Sequence, residues 1–320
     1  MENIDIFFKK ITSNREPKNL YDPIYYTLSQ GGKRLRPRLV LMSADFFGSK
    51  EEVALYPAAA FEMLHNFTLI HDDIMDDAPI RRGKPTVYRQ WNGNIAILSG
   101  DALATLALQT MLDTPARPEI VLQLSKLLGQ TSVEICEGQQ EDLDFETRKD
   151  VTLDEYIHMI RYKTAVMLAG CLKAGALLAE TSVENQEAIY MYGIYIGLAF
   201  QLEDDLLDVY GDNAVFGKKI GGDIRENKKT YLYLSALENA TGNDKAELEH
   251  YFASTDFDDN EKFQAVKAIY DRLGIRKKTE EQIDKFAELA LAELAKINGP
   301  EDSKKQVFKD LAFELSRRNK

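Results

Sequence analysis

Cysteine is nearly absent from this 320-residue chain; Cys136 and Cys171 are the only two. Two thiols cannot build a disulfide framework or a Cys-rich metal site, and both lie in apolar, helix-like stretches, which fits a reducing compartment. Positive charge is also in short supply. Lys and Arg total 40 against 52 Asp and Glu, giving a formal net charge of −12 and a pI near 5.0. A general binder of nucleic acid or of anionic membranes needs a basic surface, so both partner classes are excluded. Long apolar runs are lacking too, and none approaches the ~18–20 residues of a membrane span. The opening MENIDIFFKKITSNREPKNL has no long apolar core and reads as a short amphipathic helix. Together these absences predict a soluble, cytoplasmic protein without stable membrane insertion.

Alternating strand patterns are scarce, and no repeat or low-complexity linker divides the chain. What is there runs at helical period: Val53 to Ile70, Asn94 to Met111, Ile120 to Ile135, Leu153 to Leu178 and Glu184 to Asp208. Glycine and proline cluster between these runs, at Gly31-Gly32, Gly48, Pro79 to Pro85, Pro115 to Pro118, Gly217 to Gly222 and Gly299-Pro300. Those are the breakers at which bundle turns fall. Hydrophobic residues make up 44% of the chain, enough for a sizeable core. The expectation is an all-α protein: one large helical bundle around a central cavity, a single domain over residues 1–320, with the polar stretch Asn243 to Lys262 on its surface.

Two acidic clusters stand out. Asp72-Asp73-Ile74-Met75-Asp76-Asp77 follows the apolar run ending at Ile70, and Asp204-Asp205-Leu206-Leu207-Asp208 follows another. Carboxylates this dense at the end of a core helix repel one another unless cations neutralise them. On a helix Asp72 and Asp76 share a face at i, i+4, as do Asp204 and Asp208. Hard oxygen donors in ones and twos suit Mg²⁺, which keeps waters and bridges to substrate phosphates. Basic stretches accompany each cluster. Arg81-Arg82 and Lys84 follow the first, Gly217-Lys218-Lys219 and Lys228-Lys229-Thr230 follow the second, and Gly31-Gly32-Lys33-Arg34-Leu35-Arg36-Pro37-Arg38 lies upstream. Acid for a metal and base for phosphate, repeated in both halves, suggest a metal–diphosphate site. Glu62 to His65, Glu155 to His158 and Glu247 to His250 fit Glu-x-x-His, so a di-iron carboxylate oxidase is a competing class. That class leaves both Asp clusters and all the basic clusters without a role.

In this order, Gly31-Gly32-Lys33-Arg34-Leu35-Arg36-Pro37, His71-Asp72-Asp73-Ile74-Met75-Asp76 with Arg81-Arg82-Gly83, Phe200-Gln201-Leu202-Glu203-Asp204-Asp205-Leu206-Leu207-Asp208, and Gly217-Lys218 with Lys228-Lys229-Thr230 resemble the motifs of the trans-isoprenyl diphosphate synthases, the polyprenyl synthetase family. The resemblance covers about Gly31 to Thr230. It implies the isoprenoid synthase fold and a homodimer. It also implies condensation of isopentenyl diphosphate with an allylic diphosphate, with release of pyrophosphate. By the same resemblance Asp72, Asp73, Asp76 and Asp204 serve Mg²⁺, supported by Asp205 and Asp208. Arg81, Lys163, Gln201, Lys218 and Lys228 surround the allylic diphosphate. Lys33, Arg36, His65 and Arg82 match the isopentenyl diphosphate site.

The chemistry calls for such an array. Breaking an allylic C–O bond creates a carbocation and a highly charged leaving group, which metals and cations stabilise. Oxygens of Thr164, of Gln201 and near Lys163 could steady the cation. Product length is expected to be set on the helix of the first acidic cluster, where Phe67 lies five residues before Asp72, about 7.5 Å along a helix. A single aromatic there, with small Thr68 beside it, resembles the pattern of C20 synthases, with C15 next. A non-catalytic partner subunit should have lost acids or lysines, and none is missing. A class I terpene cyclase normally mixes Asn, Ser or Thr with Glu in its second metal motif, unlike Asp204 to Asp208.

Overall fold

The computed structural model describes residues 2–13, 15–211, 220–253 and 256–317. In chain order the helices are α1 (Glu2–Thr12), α2 (Lys18–Ser29), α3 (Leu35–Phe47), α4 (Glu51–Met75), α5 (Val87–Gln90), α6 (Gly93–Leu112), α7 (Pro118–Thr147) and α8 (Leu153–Ile160). A π-turn (Arg161–Ala165) leads directly into α9 (Val166–Leu178), followed by α10 (Val183–Tyr210), α11 (Gly222–Arg225), α12 (Tyr231–Asn239), α13 (Gly242–Phe252), α14 (Asp259–Arg272), α15 (Ile275–Lys296) and α16 (Asp302–Ser316). Among the described residues the only strands are β1 (Ile80–Arg81) and β2 (Lys84–Pro85), an antiparallel hairpin pairing Ile80 with Pro85 and Arg81 with Lys84. The chain is therefore all-α, as its periodicity predicts. The predicted breakers that are described fall at element ends.

Two compact units are built from interleaved segments. The first comprises Met1–Val133, Met167–Tyr190 and Ile297–Pro300; the second comprises Glu134–Val166, Met191–Lys296 and Glu301–Lys320.

In the first unit α4 is the central element. Ala54, Ala58, Ala59, Ala60, Phe61, Met63, Leu64 and Ile70 are buried along it. The alanines let neighbouring helices come close, and α6 lies along α4, burying Ala96, Leu103, Ala107 and Met111. α6 corrects one expectation. It is long and apolar enough to span a bilayer by length and composition, yet it packs on α4 as a core helix. Where α9 meets α3, Ser43 donates to the Leu172 carbonyl (2.6 Å), and a Cβ on Gly175 would lie 2.4 Å from the Ala44 nitrogen.

In the second unit α10 meets α14 where Tyr210 donates to Asp271 (2.9 Å), α15 where the rings of Tyr195 and Phe286 stack, and α16 where Tyr192 lies edge-on to Phe308. Tyr192 is fully buried and donates to the Phe308 carbonyl at 2.6 Å. The stretch 243–262, expected on the surface, is partly interior. Leu248 is buried, and Lys262 is buried with its ammonium on Asn227 and the Arg225 carbonyl. A lysine's long apolar stem permits this when its head finds oxygen partners.

One buried ion pair ties the start of the first unit to α4. Arg34, at the N-cap of α3, has φ 47° and is 6% exposed. Its guanidinium donates to Glu62 (2.8 Å), to Asp5 (3.0 Å) and to the Leu28 carbonyl. Removing one partner leaves a buried charge unpaired. Arg34→Met should therefore destabilise the protein by about 3–5 kcal/mol, and Arg34→Met with Glu62→Leu by less. Loss of helical signal across a urea titration measures both.

Candidate active site

The first acidic cluster sits at the C-terminal end of α4. Asp72 and Asp73 lie in its last turn, and Asp76 is the C-cap, its N–H donating to the Asp72 carbonyl at 2.8 Å. A helix C-terminus carries partial negative charge, so carboxylates there are doubly disfavoured without a cation. The three do not share one environment. Asp73 is buried and accepts from Arg81 Nε at 2.7 Å; Asp72 is half-buried and Asp76 exposed. Asp77, at φ 47°, turns the chain away and accepts from Tyr88 (2.7 Å) and Arg89 (3.0 Å).

The β1–β2 hairpin brings the basic residues back. Arg82 and Gly83 form its tip with φ of 53° and 73°, the left-handed pair that two-residue hairpins require. Arg81 thereby returns to Asp73, and Arg82 donates to the Gly31 carbonyl at 2.7 Å. A Cβ on Gly32 would lie 3.1 Å from Arg82 Cζ, so this glycine makes room for the guanidinium. Four members of the predicted isopentenyl diphosphate set are thus gathered in one unit: exposed Lys33 and Arg82, and half-buried Arg36 and His65. Burial, then the charges of Arg36, Arg82, Arg81 and Arg34, hold the His65 imidazole well below its usual range. This is a cationic bowl around a neutral histidine, suited to a multiply charged anion.

Phe67 packs edge-on against His71, with ring centres 4.8 Å apart, and Thr68 donates to the His65 carbonyl at 2.9 Å. His71 lies 3.3 Å from the Ile97 carbonyl, and a Cβ on Gly100 would fall 2.3 Å from its Nε2. The α4 face bearing Phe67 and His71 is therefore set by α6.

The second unit repeats the pattern on α10. Asp204 is half-buried near its C-terminal end. Asp205 is buried and accepts from Tyr156 and from Gln201 (3.2 Å); burial, with Asp223 nearby, pushes its carboxyl well above the usual range. Asp208 accepts from the N–H groups of Gly222 (3.2 Å) and Asp223 (3.1 Å), holding the start of α11. Lys163 donates to Asp142 at 2.5 Å and Thr164 to Gln201 at 2.9 Å. Lys228 is exposed and lies 3.1 Å from Glu226. Lys218 lies outside the described residues. Asp142 and Tyr156 were not anticipated from the sequence. An acid in Gly138-Gln139-Gln140-Glu141-Asp142 was visible, but nothing local linked it to Lys163.

Among the described residues no three acidic, His or Cys side chains form a preformed metal cage. The glutamates of the three Glu-x-x-His triplets are engaged otherwise. Glu62 binds Arg34, Glu155 closes a capping box with Thr152 and pairs with Arg148, and Glu247 accepts from Asn243.

The family model described as Polyprenyl synthetase matches residues 17–270. The chain belongs to the polyprenyl synthetase family. It is a prenyltransferase of that family, and the di-iron alternative falls away. A geranylgeranyl diphosphate synthase of Methanosarcina mazei is 43% identical over 236 residues, covering 74% of this chain and 73% of that one. A crystal structure of a geranylgeranyl pyrophosphate synthase superposes with a TM-score of 0.94 at 42% identity, covering 100% of this chain and 98% of that one. A Corynebacterium glutamicum geranylgeranyl pyrophosphate synthase, solved with isoprenyl diphosphate and magnesium, gives a TM-score of 0.87 at 27% identity, covering 99% and 97%. In this polyprenyl synthetase, each unit joins carboxylates at a helix C-terminus to cations delivered by neighbouring turns.

The depressed His65 has a definite sign. The unfolded chain takes up this proton near pH 6.5, before the folded chain does. Stability is therefore retained above that pH and falls as pH drops through it. Titration by NMR should place the His65 midpoint below 6.5, and saturating inorganic pyrophosphate should raise it by offsetting the arginines.

Proposed function

We propose that this prenyltransferase condenses isopentenyl diphosphate with allylic diphosphates of C5 to C15, with geranylgeranyl diphosphate as its main product. The observation that carries the reading is the doubled arrangement of acids at the C-terminal ends of α4 and α10, each accompanied by Lys and Arg, in a chain of this family. The product assignment is supported by the names of the relatives above and by a single aromatic, Phe67, with Thr68 beside it.

In the first unit Asp72 and Asp76 would hold Mg²⁺, supported by their oxygen donors and their place at a negative helix end, and in the second unit Asp204 would do the same with its carboxylate. Bound Mg²⁺ would neutralise diphosphate charge and ease its departure. Asp73, held by Arg81, keeps that guanidinium in place for a diphosphate oxygen. Lys163 and Lys228 add charge against the leaving group, with Lys218 assigned there by its motif. Lys33, Arg36, His65 and Arg82 bind isopentenyl diphosphate, whose double bond then attacks the allylic carbon. Thr164 donates its hydroxyl proton to Gln201, which leaves the Thr164 oxygen lone pairs available to positive charge. No protein nucleophile is required, and the departing pyrophosphate can take the final proton.

We assign a homodimer to an unpartnered apolar stripe in the first unit. Ile97, Leu98, Leu108 and Leu112 on α6 and Leu122 on α7 are all exposed. Exposed apolar residues concentrated on α6 mark an association site, and a second copy is the occupant the family resemblance implies. A reducing cytoplasmic setting accords with the two free thiols.

Incubation with isopentenyl diphosphate and each of the C5, C10 and C15 primers, followed by chromatographic sizing, tests the reading. A C20 product that disappears with EDTA is expected. No condensation with any primer defeats it. Phe67→Ala should lengthen the main product, and an unchanged chain length removes Phe67 as the floor. Asp72→Ala should lower kcat by at least 10²-fold, as expected when preorganised charge stabilisation is lost. Leu98→Asp with Leu112→Asp should yield monomers by light scattering.

A further inference from the structure

Lys163 and Thr164 lie in the π-turn, where the Val166 N–H reaches back to the Arg161 carbonyl. Such an inserted residue widens the helix locally and is kept chiefly where function uses it. Two glycines from neighbouring helices lie flush against this turn. A Cβ on Gly138 of α7 would fall 2.3 Å from Lys163 N, 2.8 Å from Tyr162 C and 2.9 Å from Lys163 Cα. A Cβ on Gly197 of α10 would fall 2.5 Å from Ala165 Cα and 2.7 Å from its Cβ. The obstacles are backbone and a short side chain, so neither clash can be relieved by a rotamer change. One helical turn beyond each glycine stands the partner of a site residue. Four residues after Gly138, Asp142 accepts from Lys163 (2.5 Å); four after Gly197, Gln201 accepts from Thr164 (2.9 Å). Gln201 also donates to Asp205, which accepts from Tyr156 of α8, closing the network around the turn.

We infer that Gly138 and Gly197 are positioning residues: their bare backbones seat the π-turn at the one depth at which Lys163 meets Asp142 and Thr164 meets Gln201. Asp142 is the third positioning residue, acting through Lys163. Any other residue at 138 or 197 lifts the turn outward and draws both side chains off their partners. The consequence is chemical as well as structural. A cation stabiliser displaced by about 1 Å can cost about 10²-fold in rate. A cation held less well is also open to water. Water then adds to the allylic carbon in place of the isopentenyl double bond, loses one proton to solvent, and gives an allylic alcohol alongside pyrophosphate. This consequence rests on the prenyl condensation proposed above; the seating of the turn does not.

The test compares full-length Gly138→Ala and Gly197→Ala with Gly175→Ala, whose added Cβ would crowd the Ala44 nitrogen at 2.4 Å but touches no site residue. Amide hydrogen exchange across residues 161–166 reads the turn without reference to activity. Faster exchange there in the first two variants and not in the third is expected; wild-type exchange in both overturns the inference. Pyrophosphate released per prenyl product formed reads the chemistry. The wild type should give one, Gly175→Ala one at whatever stability it retains, and the two site glycine variants more than one, with allylic alcohol detected and kcat down about 10²-fold. Should the glycine variants fail to fold, Asp142→Asn adds no volume and carries the test. It should raise the same ratio, and unchanged kcat and coupling overturn the inference. A wild type that condenses no primer defeats the proposed function alone, because the exchange result still decides the seating of the turn.

Discussion

Negative charge placed at the negative end of a helix is the constraint on which the rest depends. α4 and α10 are long and apolar through most of their length, and each ends in a group of aspartates. The peptide dipoles add to the repulsion in the last turns, at Asp72, Asp73 and Asp76 of α4 and at Asp208 of α10, so both ends call for positive charge nearby. The protein's own residues answer part of that demand. Arg81 is folded back onto Asp73, and Asp208 is tied to backbone N–H groups of the α11 start. Asp72 and Asp204 are half-buried and Asp76 exposed. The carboxylates thus divide into those that hold the scaffold and those more open to a divalent cation.

The cationic side obeys a comparable division. Arg34 belongs to a run of basic residues but is consumed by structure, pairing with buried Glu62 and with Asp5. Its neighbours Lys33 and Arg36 remain more open. Arg82 binds the Gly31 carbonyl of the loop before α3, and burial together with these charges holds the His65 imidazole well below its usual range. Glycine appears where a backbone or a guanidinium must come close: at Gly32 beneath Arg82, at Gly100 beside His71, and at Gly138 and Gly197 against the π-turn. In each case what is placed is a residue of the site or its immediate neighbour.

Much of this is legible in the chain. The long helices follow from apolar periodicity, and the turns from glycine and proline. The order of acids followed by bases points to diphosphate chemistry by itself. What is not legible depends on contacts between distant segments. The run Leu153 to Leu178 reads as one helix, and local propensity does not reveal a π-turn at 161–165; the packing of Gly138 and Gly197 marks the place. Ile120 to Ile135 continues to Thr147, because the charged residues that follow are compatible with an exposed helical face. Lys262 reads as a surface lysine, but its ammonium finds oxygens supplied by residues some 35 positions away in sequence.

The sequence by itself determined the fold class, the family, and which residue types could do the chemistry. Helical periodicity, breakers and motif order are local properties that the chain carries regardless of how it packs. Only the tertiary structure decided the part each charged residue plays. It set Arg34 apart from Arg36, Asp73 apart from Asp72 and Asp76, and found Asp142 for Lys163 and Tyr156 for Asp205. Those distinctions arise because a charge's role is fixed by its burial and its nearest opposite charge, and both are properties of packing between segments remote in sequence.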